Sequence, residues 1–143
     1  MPITAKSPKL YVTLLQPVLV HQVALYLAAK QAHWIVRGPQ FAPLHALFSE
    51  VADSAQGAAD TIAERIAQLD GVPSRDLPVF AVTERAGLAL VGQISAAASQ
   101  LAKLQLDAIT DLLAEGDQVS ANLLLTLQEG LDKLIWMMDS HLL

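Results

Sequence analysis

The sequence predicts an all-α fold, a four-helix bundle with one long connection between its second and third helices. Apolar residues recur at helical spacing in four segments, and glycine and proline separate these segments. No segment alternates with the period of two that a half-buried strand requires. At 143 residues the chain has the length of one domain, which we assign to residues 1–143.

The first helix is predicted to run from about Pro17 to Val36, a stretch of good helix formers. Proline fits the first turn of a helix, whereas deeper inside it kinks the helix, so Pro17 favours a start at that residue. Gly38 and Pro39 then end the helix. The segment is apolar on most sides, which predicts burial against more than its own bundle.

The second helix is predicted from about Pro43 to Leu69. Nine apolar residues mark one stripe at helical period: Leu44, Leu47, Phe48, Val51, Ala55, Ala58, Ile62, Ile66 and Leu69. Gly71, Pro73 and Pro78 make residues 70–82 a connection, with room for one short helical turn.

The third helix is predicted from about Thr83 to Glu115, with Gly116 as its C-cap. Asp117 or Ser120 is the expected N-cap of the fourth helix, which ends with the chain. Four helices of bundle length, with one long connection between the second and the third, predict an antiparallel up-and-down or a ferritin-like bundle.

Composition limits the classes of function. Apolar residues make up 53% of the chain and charged ones only 16%, which predicts large interfaces between subunits. The net charge of −5 disfavours a phosphate backbone as partner. Because the chain has no cysteine, a metal site must use His, Asp and Glu, a ligand set that suits iron or manganese.

No membrane-spanning or targeting segment is expected. The most apolar stretch, residues 10–29, is interrupted by Gln16, Pro17, His21 and Gln22. The chain does not open on a basic segment followed by a cleavage site. We therefore expect a cytoplasmic protein.

The candidate ligands lie on the second helix, away from its apolar stripe. With His45 set at zero and about 100° per residue, Ser49 lies near 40°, Asp60 near 60°, Asp53 near 80° and Glu64 near 100°. The apolar stripe centres near −100° in the same frame, roughly opposite. This polar stripe therefore points out of the chain's own core.

One chain alone does not complete the site. His45 and Asp60 are fifteen residues apart, or about 22 Å along the helix, a span too long for one metal, whereas Asp60 and Glu64 are one turn apart. If two copies of the helix meet antiparallel about a two-fold axis, His45 of one approaches Asp60 and Glu64 of the other. His33 is placed to join that cluster.

Simpler interpretations remain open for each residue. The alternative for Asp60 is a surface charge, and for Glu64 an ion pair with Arg65 or Lys30. His21 and His141, which have no carboxylate at matching spacing, are interpreted as structural. Trp34 and Trp136 are interpreted first as packing residues, because their neighbours are apolar.

Two stretches resemble the Dps-like mini-ferritins (DNA-binding proteins from starved cells). The first contains Lys30-Gln-Ala-His33-Trp34, Arg37-Gly38-Pro39-Gln-Phe41, Leu44-His45 and Asp60-Thr-Ile-Ala-Glu64-Arg65, and ends at Leu69. The second is Leu131-Asp132-Lys133-Leu-Ile-Trp136. Residue order and helix pattern agree with that family over nearly the whole chain.

The resemblance implies a ferritin-like bundle whose subunits form a hollow dodecamer. Such shells oxidise Fe(II), usually with hydrogen peroxide, and store ferric mineral. The implied ferroxidase site lies between two-fold related subunits, with His33 and His45 from one and Asp60 and Glu64 from the other. Iron is the expected metal, with zinc as a surrogate. A standard ferritin fits less well, because the chain has no Glu-x-x-His pair.

The resemblance also suggests roles for the neighbours of the ligands. Trp34 resembles the tryptophan beside that site, and we assign Trp34 and Lys30 as candidate catalytic residues. Lys30 and Arg65 are candidates for orienting or neutralising the carboxylates. Glu115 and Asp117, at the turn between the third and fourth helices, are candidates for lining an iron pore.

The chain departs from the family pattern in two places. The family has an aspartate one turn after the second histidine, where this chain has Ser49, a neutral and weak ligand. Asp53 is one turn further on and is the candidate substitute. Before the first helix only Lys6 and Lys9 are basic, so weak or absent DNA binding is expected.

Overall fold

The computed structural model describes residues 7–76, 80 and 82–143, and four long helices contain most of them. These are α1 (Pro8–Ile35), α2 (Phe41–Gln68), α3 (Gly87–Ala114) and α4 (Gln118–Asp139), followed by a 3-10 turn at Ser140–Leu142. α1 packs on α2 and α3, while α4 packs on α3 and α2. The predicted all-α four-helix bundle is confirmed. Part of the predicted connection, residues 77–79 and 81, and Lys6 lie outside the described residues.

The apolar stripe predicted on the second helix forms one wall of the core. All nine of its residues are buried, and all of them except Ala58 pack with apolar residues of α1, α3 and α4 in one cluster. Leu44, Phe48, Ile62 and Ile66 are fully enclosed. The opposite, polar side of α2 therefore faces away from the core, as the helical angles of its residues predicted.

α1 begins nine residues earlier than predicted, so the expected start at Pro17 was wrong. Ser7 is the N-cap and Pro8 occupies the first turn, which leaves Pro17 inside the helix. An interior proline costs about 3 kcal/mol. Burial of Tyr11 and Leu15, both fully enclosed, contributes about 1.5 to 3 kcal/mol each and offsets that cost.

α3 begins at Gly87, so the predicted start at Thr83 was also wrong. The backbone nitrogens of Thr83 and Glu84 donate to the side-chain oxygen of Gln93, at 3.1 and 2.9 Å. Nε2 of Gln93 donates in return to the hydroxyl of Thr83, at 2.7 Å. The segment before α3 thus satisfies its polar groups through one glutamine.

This segment is also tied to the turn between α1 and α2. The backbone nitrogen of Arg37 donates to the carbonyl of Arg85 at 3.0 Å, and that of Gly87 donates to the carbonyl of Arg37 at 3.1 Å. A side chain at Gly87 would meet Leu44 at 2.8 Å, which explains glycine at this close approach. The contacts place the start of α3 beside the start of α2.

The turn from α3 to α4 has the N-cap that the sequence predicted, whereas the C-cap of α3 is Glu115 and the predicted Gly116 follows it. Gly116 has φ +89°, the left-handed conformation that glycine adopts without strain. A carboxylate oxygen of Asp117 accepts from the backbone nitrogen of Ser120 at 3.0 Å, so Asp117 is the N-cap of α4. Nη2 of Arg65 lies 3.3 Å from the same oxygen, and its Nε donates to the Ser120 hydroxyl at 2.8 Å. This buried network joins the end of α2 to the start of α4.

Among the described residues α1 alone is long and apolar enough to resemble a membrane span. A core helix of a bundle has the same length and composition, and α1 packs along α2 and α3 with ten of its residues buried. We therefore describe α1 as a core helix.

Candidate metal centre

His33 and His45 lie side by side where α1 ends and α2 begins. Nδ1 of His33 is 2.6 Å from the backbone oxygen of His45, and Nδ1 of His45 is 2.6 Å from the backbone oxygen of His33. Because a carbonyl oxygen only accepts, each Nδ1 carries the proton and donates it. Each Nε2 then keeps a free lone pair, the form in which a neutral imidazole binds a metal.

The packing of the two rings decides whether they could bind the same metal. The imidazoles of His33 and His45 are stacked, with centroids 3.7 Å apart and planes 16° from parallel. A metal lies in the plane of the ring that binds it, about 2.0 to 2.1 Å from the nitrogen. Two nearly parallel planes at this separation do not meet within a bond length. In this geometry His33 and His45 therefore fit two neighbouring metals and not a single shared one.

The turn between α1 and α2 produces this pairing. Gly38 has φ +115°, which favours glycine, and its carbonyl accepts from the backbone nitrogen of Phe41 at 3.0 Å. The turn reverses the chain, so the last turn of α1 lies against the first turn of α2. The phenyl ring of Phe41, one turn before His45, stacks on its imidazole at 5.0 Å and 24°. Phe41 was not among the predicted site residues, although its spacing of four from His45 was a usable signal.

The carboxylates predicted as ligands lie further along α2. Asp60, Glu64 and Asp53 are exposed, and Ser49 is half-buried. Within the described residues no three His, Asp or Glu side chains are close enough to hold one metal. The predicted ligands thus fall into two separate groups, which we call the candidate imidazole half-site, His33 and His45, and the candidate carboxylate half-site, Asp60 and Glu64.

Two expectations about the cations around these carboxylates were wrong. Arg65 does not orient or pair with Glu64, because its guanidinium is buried and binds Asp117 and Ser120. Among the described residues Arg65 and Asp117 form the only ion pair, so Glu64 is not paired with Lys30 either. Lys30 is half-buried on α1, and its role as a candidate catalytic residue stays a prediction.

Asp117 was also a wrong choice for a pore-lining residue. Its side chain is buried, caps α4 and pairs with Arg65. Glu115 is exposed, while its backbone oxygen accepts from the hydroxyl of Tyr11 at 2.7 Å. Of the two candidates, only Glu115 has a carboxylate available to solvent.

The tryptophans do not pack in the chain's own core, which corrects that interpretation. Trp34 is 68% exposed and Trp136 is 66% exposed. Trp34 follows His33 directly, and with Phe41 it lines a surface recess of about 370 Å³. Its position fits the candidate role beside the metal centre, which stays a prediction.

The remaining two histidines make one hydrogen bond each, to a carbonyl oxygen or to a side-chain amide. Nδ1 of His21 lies 2.7 Å from the carbonyl of Pro17, one turn earlier in α1. Nδ1 of His141 lies 2.9 Å from the side-chain oxygen of Gln40 and so links the end of the chain to the α1–α2 turn. These contacts agree with the structural interpretation of both residues.

A chain of three hydrogen-bonded glutamines lies inside the bundle among the apolar residues. Gln22 donates to Gln105 at 3.1 Å, Gln105 donates to Gln128 at 2.9 Å, and Gln128 donates to Asp132 at 2.8 Å. The three glutamines are buried, whereas Asp132 is exposed. Because amides hold this position, a metal centre inside one bundle is not favoured over the outward-facing half-sites.

Comparison with known proteins agrees with the fold. A family model described as a ferritin-like domain matches residues 12–143. The DNA protection during starvation protein of Brevibacillus brevis is 30% identical, over 94% of this chain and 95% of its own length. The protein of the same name from Agrobacterium fabrum is 29% identical, over 99% and 91%.

A solved structure of a Dps protein is similar to this chain in both fold and sequence. Dps from Microbacterium arborescens, in its high iron form, superposes with a TM-score of 0.86 and 29% identity over 99% of each chain. The family model and the relatives each cover nearly the whole sequence. The chain therefore belongs to the ferritin-like proteins and, among them, to the Dps mini-ferritins.

Proposed function

We propose that this chain assembles into a cytoplasmic shell, a dodecamer, that oxidises Fe(II) and stores the ferric product. Each site combines the imidazole half-site of one subunit with the carboxylate half-site of its two-fold partner. The main support is the reciprocal pair of hydrogen bonds between His33 and His45, which leaves both Nε2 atoms free for metal. Such a shell protects a cell against peroxide and free Fe(II).

The proposed reaction is a transfer of two electrons from iron to peroxide. Two ferrous ions each give up one electron, and together they reduce one hydrogen peroxide. The O–O bond breaks, two protons are taken up, and two waters form. Side chains of this chain hold the two irons close together, so that both electrons reach one oxidant. Oxygen is the alternative oxidant in this proposal.

The two metal positions are unequal in this proposal. His33 with Asp60 and Glu64 of the partner gives one position two carboxylates. The other position has His45, and the residue one turn later is Ser49, a neutral hydroxyl. Fe(III) is hard and highly charged, so the first position is tighter than the second. Asp53 is the candidate that partly compensates.

A second candidate function follows from Ser49. If the second position stays empty, paired oxidation is lost, and the shell binds metal or serves as structure without ferroxidase activity. Mixing Fe(II) and peroxide with the protein and following ferric absorbance separates the two functions. Protein-dependent oxidation that saturates at two irons per subunit supports the ferroxidase. Oxidation no faster than in buffer supports the structural or metal-binding shell.

Assembly is tested by light scattering. Twelve chains of 15.3 kDa amount to about 184 kDa. We expect that mass at micromolar concentration, because the exposed Trp34, Trp136 and other large apolar residues are otherwise left in water. A stable monomer would contradict both the shell and the shared site.

DNA binding is expected to be weak or absent. With a net charge of −5, few counterions are released when the chain meets a phosphate backbone. Plasmid mobility in a gel should be unchanged at about 150 mM salt, near physiological ionic strength. Retarded bands that persist at this salt would reveal a basic surface formed by the assembly.

A further inference from the structure

Three aromatic rings form a stack at the imidazole half-site. His45 lies in the middle, with His33 on one face at 3.7 Å and Phe41 on the other at 5.0 Å. The planes differ by 16° and 24°, so all three rings are nearly parallel. His45 is therefore enclosed on both faces, whereas the stack leaves only one face of His33 covered.

The backbone holds Phe41 in place independently of His45. Phe41 is the first residue of α2, and its nitrogen donates to the carbonyl of Gly38 at 3.0 Å. Residues four apart on a helix lie on the same face, so the ring of Phe41 meets the ring of His45. The contact thus follows from the turn and the helix together.

The enclosure restricts how the His45 ring can move. Its Nδ1 is fixed by the carbonyl of His33, and rotation out of the stack would require the Phe41 ring to leave. The direction of Nε2 is therefore set before a metal arrives, which lowers the entropy lost on binding. An aromatic face also stabilises the positive charge that an imidazole gains when it binds a metal.

We propose that Phe41 is a positioning residue for His45, and so for the second metal position, the one weakened by Ser49. This inference rests on the proposed function, because it needs a metal at His45. Phe41 contacts no metal itself in this proposal and acts only through the imidazole. The first position, built on His33, depends on Phe41 less.

Zn(II) titration of the assembled protein by calorimetry tests the proposal. Wild type should bind in two steps per subunit. In Phe41→Leu the affinity of the second step should fall about tenfold. Loss of a residue that supports a metal ligand costs about 10- to 100-fold in affinity, and we expect the lower end of that range. The first step should stay within about twofold, since its own carboxylates are untouched. Phe41→Tyr should restore the second step, because the ring is kept.

The matched control is Leu88→Ala at the same end of the bundle. Leu88 is 49% exposed and Phe41 45%, so both variants shorten a similarly exposed apolar side chain. Leu88→Ala should change neither step. Light scattering on every variant separates lost assembly from lost positioning. Equal weakening of both steps in an intact Phe41→Leu shell, or no weakening, would overturn the proposal.

A crystal structure of metal-free Phe41→Leu makes the test independent of the proposed function. The positioning proposal predicts that the His45 ring leaves the hydrogen bond with the carbonyl of His33. If wild type binds no metal, the proposed function fails, and this structure still decides whether Phe41 holds the ring. An unmoved His45 ring in the variant would reject the positioning role.

Discussion

The two half-sites of the candidate metal centre are built in different ways. The imidazole half-site is finished within one chain, where two backbone hydrogen bonds and a ring stack fix both rings. These bonds contribute about 0.5 to 1.5 kcal/mol each to holding that geometry. In the carboxylate half-site Asp60 and Glu64 are exposed on one face of α2. The fold alone preorganises one half, and assembly must orient the other.

Removing each half-site separately gives the largest expected effects. The double variant Asp60→Ala, Glu64→Ala should lose more than about 100-fold in metal affinity. Loss of a residue that only supports a ligand already costs up to about 100-fold, and these two are the ligands themselves. Chains with His33→Ala and His45→Ala should also be inactive. Asp107→Ala, an exposed carboxylate on α3, is the matched control and should bind metal as wild type does. Calorimetry with Zn(II) and iron oxidation provide the measurements.

Mixing the two inactive variants then tests whether a site is shared. In a mixed dimer one site receives both mutated halves, and the other receives both intact halves. With random mixing about a quarter of all sites are intact, so about a quarter of wild-type oxidation should return. If the ligands all came from one chain, mixing would restore nothing. Recovery after dissociating and reassembling the two variants together is the measurement.

The difference between what one helix determines and what the packing of two helices determines explains which features the sequence could predict. Helical periodicity predicted the buried stripe of α2 and the opposite polar stripe, because both follow from one helix alone. The hydrogen bonds between His33 and His45 depend on how the turn at Gly38 places two helices. Periodicity cannot supply that geometry, and the resemblance implied only which residues cluster.

The wrong predictions have a common physical cause. Pro17, Arg65 and Asp117 were assigned from their positions along the chain, as a helix start, a cation that orients the carboxylates, and a pore acid. In the fold, burial of Tyr11 and Leu15 extends α1 beyond Pro17. Arg65 turns inward because Asp117, fifty-two residues later, offers it a buried partner. Tertiary packing overrode the local preference in each case.

Changing Ser49 should have the smallest effect of these variants and tests whether the two metal positions are unequal. Ser49→Asp restores a carboxylate near 40° on the ligand stripe, one turn after His45. The second position should then bind more tightly, and oxidation of paired irons should become faster, by roughly tenfold. Ser49→Asn, which adds similar volume without charge, is the matched control and should leave the rate unchanged.

The rate of iron oxidation by the wild-type protein decides how the result with Ser49→Asp is interpreted. If wild type is already fast and Ser49→Asp leaves it unaltered, another group completes the second position. Asp53, near 80° on the same stripe, is then a better candidate than Glu50. Glu50 lines a recess with Trp136 and His141, on the side of α2 that meets the end of α4. If neither wild type nor Ser49→Asp oxidises iron, the ferroxidase proposal gives way to the structural shell, and both half-sites lose their assigned purpose.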